Sequence, residues 1–353
     1  MKQPDLDYFP HGPRNPSRFR VGLIGCGGIS QYHLEAAKAL GVEVVALADI
    51  NEEAARKRRD AYFPDAVIYT DHRQLLARED LSVVEIATHN SVREAQIRDA
   101  LEAGKHVLSQ KPFTLDLDSG KRLIDLAAKL NLHLGVNQNG RWAPSFGAIL
   151  AGVRSGLLGQ IHSLDMAMAW DHTFTRGTHF EKLHHLILND YAIHYFDLTA
   201  NVFHDRQAQI VFANAVSSPT QDMKPPMLAN AILNFGDGLA TMAFSAYETC
   251  SEKEFICCVG SKGTLRALGG INRITEMEFA NADGSVTFPL EGSWFPDGFK
   301  GTLGEFLSAI EENRESSISA ANNLKSLELC FAALQSADTG QPVRPGAART
   351  AET

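Results

Sequence analysis

From Phe19 to about Asn137 the chain alternates short, β-branched apolar runs with longer helical stretches, and this alternation narrows the possible folds more than any other feature. The runs occupy residues 19–24, 42–49, 66–69, 82–87, 106–109 and 132–136. Between them, residues 29–40, 51–62, 91–104 and 117–130 carry apolar side chains at helical spacing, and the third stretch ends at Gly104, a helix C-cap residue. A helix of ten or more residues returns the chain so that successive strands run in the same direction and pair in parallel. The expected product is an α/β domain, a doubly wound parallel sheet with helices on both faces.

After Asn137 the rhythm changes. A helix near residues 144–155 precedes strand-like runs at 161–170, 208–216, 228–235, 239–246, 254–259, 264–268 and 285–290, linked by turns such as Gly236-Asp237-Gly238 and Asp283-Gly284. Such a series predicts a C-terminal α+β domain with a large, open, mainly antiparallel sheet. Helices or a second subunit must cover its faces, so a homodimer or homotetramer through this sheet is expected. Two helices, at about 302–313 and 322–336, close the chain. The expected layout is a leader at 1–18, a first domain at 19–138 and a second at 139–345.

A chain of 353 residues is long enough for two cores, and 44% apolar with 21% charged residues is a globular balance. The formal charge of -9 argues against nucleic acid or an anionic membrane as partner and favours a small molecule. Residues 1–18 lack the apolar core of a signal peptide and read as a loose leader, and no segment offers the apolar run of a membrane helix. Five cysteines without C-x-x-C spacing suggest reduced thiols in a cytoplasm, with neighbours Cys257 and Cys258 on opposite faces of a strand.

The first run ends in Gly25-Cys26-Gly27-Gly28-Ile29-Ser30, which opens the first helix. A dinucleotide pyrophosphate sits against helix N-terminal N–H groups at such a turn. Ser30 takes the third small position of the fingerprint. Asp49 ends the second strand, where a carboxylate accepts the ribose hydroxyls and repels a 2'-phosphate, so NAD is expected rather than NADP. Arg56, Lys57, Arg58 and Arg59 follow on the next helix as a solvated face from which one side chain can reach a phosphate.

Further on, Ala100 to Pro112 (ALEAGKHVLSQKP) resembles a segment of the glucose-fructose oxidoreductase / inositol dehydrogenase / MocA family of sugar and polyol dehydrogenases. Ile86-Ala87-Thr88, Arg141-Trp142-Ala143-Pro144, Asp190-Tyr191-Ala192-Ile193-His194-Tyr195-Phe196-Asp197 and the closing SLELCFAALQSADTGQPV extend the resemblance over nearly the whole chain. It implies a Rossmann first domain and an open-sheet second domain. It also implies Lys111, Asp190 and His194 as the catalytic set, and Thr88, Asn90, Gln110 and Lys111 beside the cofactor. Three positions depart from the family pattern: Gln110 stands for the usual glutamate, His89 for the proline of Thr-Pro-Asn, and Arg93 for a common histidine.

The resemblance makes NAD(H)-dependent hydride transfer at a secondary alcohol of a sugar, inositol or related polyol the leading function. His194, with an unperturbed pKa of about 6.5, is the acid/base. Asp190 orients it or binds a hydroxyl, and Lys111 stabilises the developing alkoxide. Two other functions remain open: glycoside cleavage through transient oxidation at C3, and a non-catalytic NAD(H)-binding regulator. His172, His179, Glu181, His184 and His185 form a second cluster whose spacing matches no compact metal motif, so no metal is expected. A pocket wall is expected instead, with Trp170, His185 and Trp142 stacking on or bonding to the substrate, and Arg141 meeting a substrate oxygen or a buried partner.

Overall fold

In a computed structural model, which describes residues 1–351, the chain divides into two compact units. The first comprises Pro10–Trp142 and Trp294–Leu324, the second Met1–Phe9, Ala143–Ser293 and the residues from Lys325 onward.

In the first unit the elements run β1 (Arg20–Ile24), α1 (Ser30–Ala39), β2 (Glu43–Ala48), α2 (Glu52–Tyr62), β3 (Val67–Tyr69), α3 (His72–Leu76), β4 (Val83–Ile86), α4 (Asn90–Glu102), β5 (His106–Gln110), α5 (Leu117–Lys129) and β6 (Leu134–Asn137). The six strands pair in parallel in the order β3-β2-β1-β4-β5-β6. This is the Rossmann order, in which the chain reverses its winding between β1 and β4 and leaves a crevice at the carboxyl ends of those strands. β4 and β6 are buried along their whole length, because helices cover both faces. Side chains of Asn51, Asp71 and Asp116 cap α2, α3 and α5 by accepting first-turn N–H bonds. α3 was not foreseen, since five residues are too few to display a helical period.

The second unit holds α6 (Pro144–Arg154), β7 (Ile161–Ala169), α7 (Ile193–Val202), β8 (Ile210–Val216), β9 (Leu228–Asn234), β10 (Leu239–Ser245), β11 (Lys253–Gly260), β12 (Thr264–Gly269), β13 (Glu276–Asn281) and β14 (Gly284–Pro289). The eight strands are ordered β14-β13-β12-β11-β7-β10-β9-β8, and every pairing is antiparallel except β7 with β10. Burial alternates along β9 and β10, so one face is packed and the other open. Cys258 is fully buried, which pushes its thiol up to about 12, while Cys257 is half-buried on the other face. β13 escaped the sequence reading because Glu276 and Glu278 on its outer face weaken the strand signal.

Two expectations about layout are corrected. The segment carrying α8 (Asp297–Glu312), assigned above to the second domain, clusters with the parallel sheet. Its Phe299, Leu303, Phe306 and Leu307 join Val21, Leu23, Val83 and Leu108 in one buried core. The fit is close: a Cβ on Gly135 would lie 2.7 Å from Phe306, and one on Gly301 would collide with the Trp142 ring. Nor is the leader loose. The N–H groups of Arg14 and Asn15 donate to the Glu311 carboxylate at 2.7 and 3.0 Å, and the His11 carbonyl presses on α8 where only Gly304 fits. In the second unit, the Glu291 N–H donates to the Tyr8 hydroxyl at 2.8 Å. α9 (Ala320–Thr339) ends the regular structure, and among the described residues no helix is long and apolar enough to cross a membrane.

Phe306 is fully buried between α8 and β6. Phe306→Ala should therefore destabilise the protein by about 3–5 kcal/mol in urea unfolding. A loss under about 1 kcal/mol would mean that α8 is not integral to the core of the parallel sheet.

Candidate cofactor and catalytic residues

The turn after β1 is shaped by one obligatory glycine and two permissive ones. Gly25 has φ +96°, and a Cβ there would meet the Ala87 backbone at 2.8 Å. Gly27 and Gly28 face open space within 4 Å of where their Cβ atoms would stand. That space lies at the N-terminus of α1, where unpaired helix N–H groups favour an anion, so the residues fit a dinucleotide pyrophosphate. Ser30 is fully buried and its hydroxyl donates to the Gly27 carbonyl at 2.6 Å, closing the turn.

Asp49, just beyond β2, accepts the Cys26 N–H on Oδ2 at 2.7 Å and the Asn51 N–H on Oδ1 at 2.8 Å. Both carboxylate oxygens are thereby aimed from the strand end beside the turn, each with a further lone pair for a ribose hydroxyl. Capping of α2 falls to Asn51, which leaves the Asp49 carboxylate to brace the turn.

The loops after β4 and β5 are tied together by the first turn of α4. The buried Arg93 guanidinium donates to the carbonyls of Thr88 and Pro112. Its neighbour Glu94 accepts from the Thr114 hydroxyl at 2.6 Å and the Leu115 N–H at 3.3 Å. The three departures from the family pattern thus have local reasons. His89 N-caps α4 by accepting the Ser91 N–H, Arg93 brackets two loops, and the Gln110 side-chain oxygen accepts the Lys111 N–H at 2.8 Å. An amide supplies that acceptor as well as a carboxylate does, without placing a negative charge beside Lys111.

In the second unit Asp190 lies in a π-helical turn, Ile187–Tyr191, closed by the Ala192 N–H on the Ile187 carbonyl at 2.8 Å. His194 follows in the first turn of α7. The i, i+4 spacing expected of a continuous α-helix is therefore altered by one inserted residue, a distortion frequent at functional sites. Both side chains are half-buried. Behind them, the Tyr195 hydroxyl donates to Glu254 at 3.0 Å, the Tyr191 hydroxyl lies 3.4 Å from that of Tyr195, and Trp170 stacks on Tyr191 with centroids 4.2 Å apart. Burial holds the Glu254 carboxyl above the usual range and also raises both tyrosines.

Each of the residues expected on a pocket wall has an intramolecular contact. Trp170 is buried and donates its indole N–H to His172 Nδ1 at 3.0 Å. Trp142 packs on Gly301, and Arg141 donates to the Ser317 carbonyl and to Asn322 Oδ1, so the latter is a brace inside the first unit. His185 Nε2 pairs with Asp338 Oδ1 at 2.7 Å, with His184 at 3.8 Å from the same oxygen. Of the five cluster residues, His172, His179 and Glu181 are engaged elsewhere: His172 with Trp170, His179 stacked on Phe180, and Glu181 accepting the Gly177 N–H. Asp338, which joins the histidines instead, lies some 150 residues away in sequence and carried no local signal.

A six-stranded doubly wound sheet with a glycine turn and a strand-end acid, followed by an open, mainly antiparallel sheet, is an architecture suited to binding a dinucleotide. Residues 19–138 match the GFO_IDH_MocA model, described as an oxidoreductase family with an NAD-binding Rossmann fold. The D-apiose dehydrogenase of Paraburkholderia graminis is 26% identical over 92% of this chain and 89% of its own. The inositol 2-dehydrogenase/D-chiro-inositol 3-dehydrogenase of Shouchella clausii is 37% identical over 30% of this chain and 31% of its own. An oxidoreductase from Agrobacterium radiobacter, solved with NAD+, L-tartaric acid and magnesium, shares the fold at a TM-score of 0.81 and 22% identity, covering 94% of this chain and 99% of that one. Over residues 19–138 the chain thus matches this NAD-binding oxidoreductase family, and it is an NAD-binding oxidoreductase of the sugar and polyol dehydrogenase type.

Two outcomes follow from these contacts. Arg93→Ala leaves the Thr88 and Pro112 carbonyls without their buried donor. It should lower kcat about tenfold or more, with a smaller effect on NADH affinity measured by fluorescence titration. Glu254 contributes stability that is complete below its unfolded value of 4.5 and is lost as pH rises through its raised folded value. The stability of Glu254→Gln relative to the parent, from urea unfolding, should therefore rise as the pH is raised above 4.5. A pH-independent difference would contradict the buried titration.

Proposed function

We propose that this protein transfers a hydride between a secondary alcohol carbon of a sugar, inositol or related polyol and NAD(H). The observation that carries the proposal is the Asp49-braced glycine turn, together with the presence of Lys111, Asp190 and His194 in a chain whose relatives are named as apiose and inositol dehydrogenases. Bound nicotinamide supplies the hydride acceptor, leaving proton transfer and positioning to the protein. His194 takes the hydroxyl proton, Asp190 orients the imidazole or a substrate hydroxyl, and Lys111 stabilises negative charge on the alcohol oxygen. Asp49 favours NAD by accepting the ribose hydroxyls and repelling a 2'-phosphate.

The open face of the second sheet supports assembly into a homodimer or homotetramer. Across it run Ile232, Thr241, Asp165, Cys257, Arg266 and Glu278 in register, with Arg266 paired to Glu278 at 2.8 Å. Ile232 and Leu268 on this face are 45% and 64% exposed, more apolar surface than a solvated sheet needs. Among the described residues no disulfide forms, which suits a reducing compartment such as a cytoplasm.

A panel of sugars, inositols and polyols assayed for NADH absorbance tests the activity. At least one substrate should turn over, and Lys111→Ala and His194→Ala should each reduce kcat about 10²-fold or more. Full activity in both variants would refute the residue roles. Release of aglycone from glycosides with no net NADH would refute the dehydrogenase reading itself. Light scattering of Leu268→Glu should show a smaller particle than the parent if the sheet is the interface.

A further inference from the structure

The four cations of α2 do not form one solvated face. Arg56 pairs with Glu52 at 2.6 Å and Arg59 with Asp60 at 2.7 Å, both at the surface. Arg58 stands three residues after the buried Ala55, on the side of α2 that faces the fold, and turns inward to the glycine turn. Its Nε donates to the Ser30 hydroxyl at 3.0 Å, and its Nη2 donates to the carbonyls of Gly27 at 3.0 Å and Gly28 at 3.3 Å.

Those two bonds have a directional consequence. In a trans peptide the C=O and N–H point in opposite directions. The Gly27 carbonyl shares its peptide plane with the Gly28 N–H, and the Gly28 carbonyl shares its plane with the Ile29 N–H. Drawing both carbonyls to the guanidinium turns both N–H groups to the other side. A glycine pair has little intrinsic preference that would hold these planes, since neither residue carries a Cβ and both face open space. The donors are charge-assisted, and the cation behind the turn adds to the positive potential at the N-terminus of α1.

We propose that Arg58 is the positioning residue of the pyrophosphate site: it fixes the peptide planes of Gly27-Gly28-Ile29 so that their N–H groups are already oriented before the dinucleotide binds. This rests on the turn being the dinucleotide site and requires nothing of the substrate or of His194. Preorganisation of this kind contributes to affinity by reducing the ordering cost of binding. Arg58 acts through the backbone and touches no reacting atom.

The test uses the full chain with Arg58→Met and Arg58→Lys. Dissociation constants are measured for NADH by fluorescence titration, and for ADP and adenosine by competition with NADH. Arg58→Met should bind NADH and ADP about tenfold more weakly, while adenosine, which lacks the pyrophosphate, is unchanged. Arg58→Lys should fall between, because one ammonium cannot span both carbonyls and the Ser30 hydroxyl. In turnover with a substrate found by the panel above, the loss should appear in KM for NAD+ rather than in kcat. Unchanged ADP affinity would overturn the proposal. So would an equal loss for ADP and adenosine, which would mark general collapse of the turn, or a loss confined to NADP+, which would make Arg58 a 2'-phosphate contact. Failure to find a substrate leaves the binding arms intact, so this inference and the proposed activity fail separately.

Discussion

The carboxylate of Asp49 accepting the Cys26 N–H is the contact on which the cofactor half of the molecule depends. It joins the end of β2 to the turn leaving β1, at the edge where the sheet reverses its winding. Gly25 makes the junction possible, because its left-handed backbone passes against Ala87 with no room for a side chain. Beyond this knot α1 starts at Ser30, and Asn51 caps the start of α2. A single hydrogen bond to a charged acceptor contributes about 1.5–3 kcal/mol, but here it also ties together the two loops that leave β1 and β2.

Buried polar anchors repeat that arrangement elsewhere. Arg93 holds the loops after β4 and β5, Arg141 holds Ser317 and Asn322, and Glu254 on β11 holds Tyr195 of α7. The surface pair of Arg56 and Glu52 differs in kind, because solvent screens it and its net contribution is about 0–1 kcal/mol. Breaking one partner of a buried set strands the other away from water, at several times that cost. The molecule thus places its costly polar contacts next to the residues with cofactor or catalytic assignments, and its inexpensive ones at the surface.

Much of the fold was legible in sequence because its signals are local and repeated. All six strands of the parallel sheet appear as apolar runs separated by amphipathic helices, and seven of the eight strands of the second sheet appear between turn residues. Gly25, Gly27 and Asp49 were legible for the same reason, as all three lie within one strand-helix-strand unit. The π-helical turn at Asp190 was not, since an inserted residue leaves the apolar pattern of its helix almost unchanged. Arg141 and His185 have the chemistry of a sugar-binding wall, yet each found an intramolecular partner that the primary sequence does not put beside it.

Periodicity, the glycine turn and the strand-end acid by themselves determined a doubly wound dinucleotide domain followed by an open sheet, because hydrogen-bond geometry and hydrophobic spacing act over a few residues at a time. Only the tertiary structure decided that α8 belongs with the parallel sheet, that Arg93 and Arg58 turn inward to loop carbonyls, and that His185 meets Asp338. Those outcomes are set by which buried surfaces and unsatisfied polar groups meet after the chain has folded back on itself, and residue spacing holds no record of such meetings.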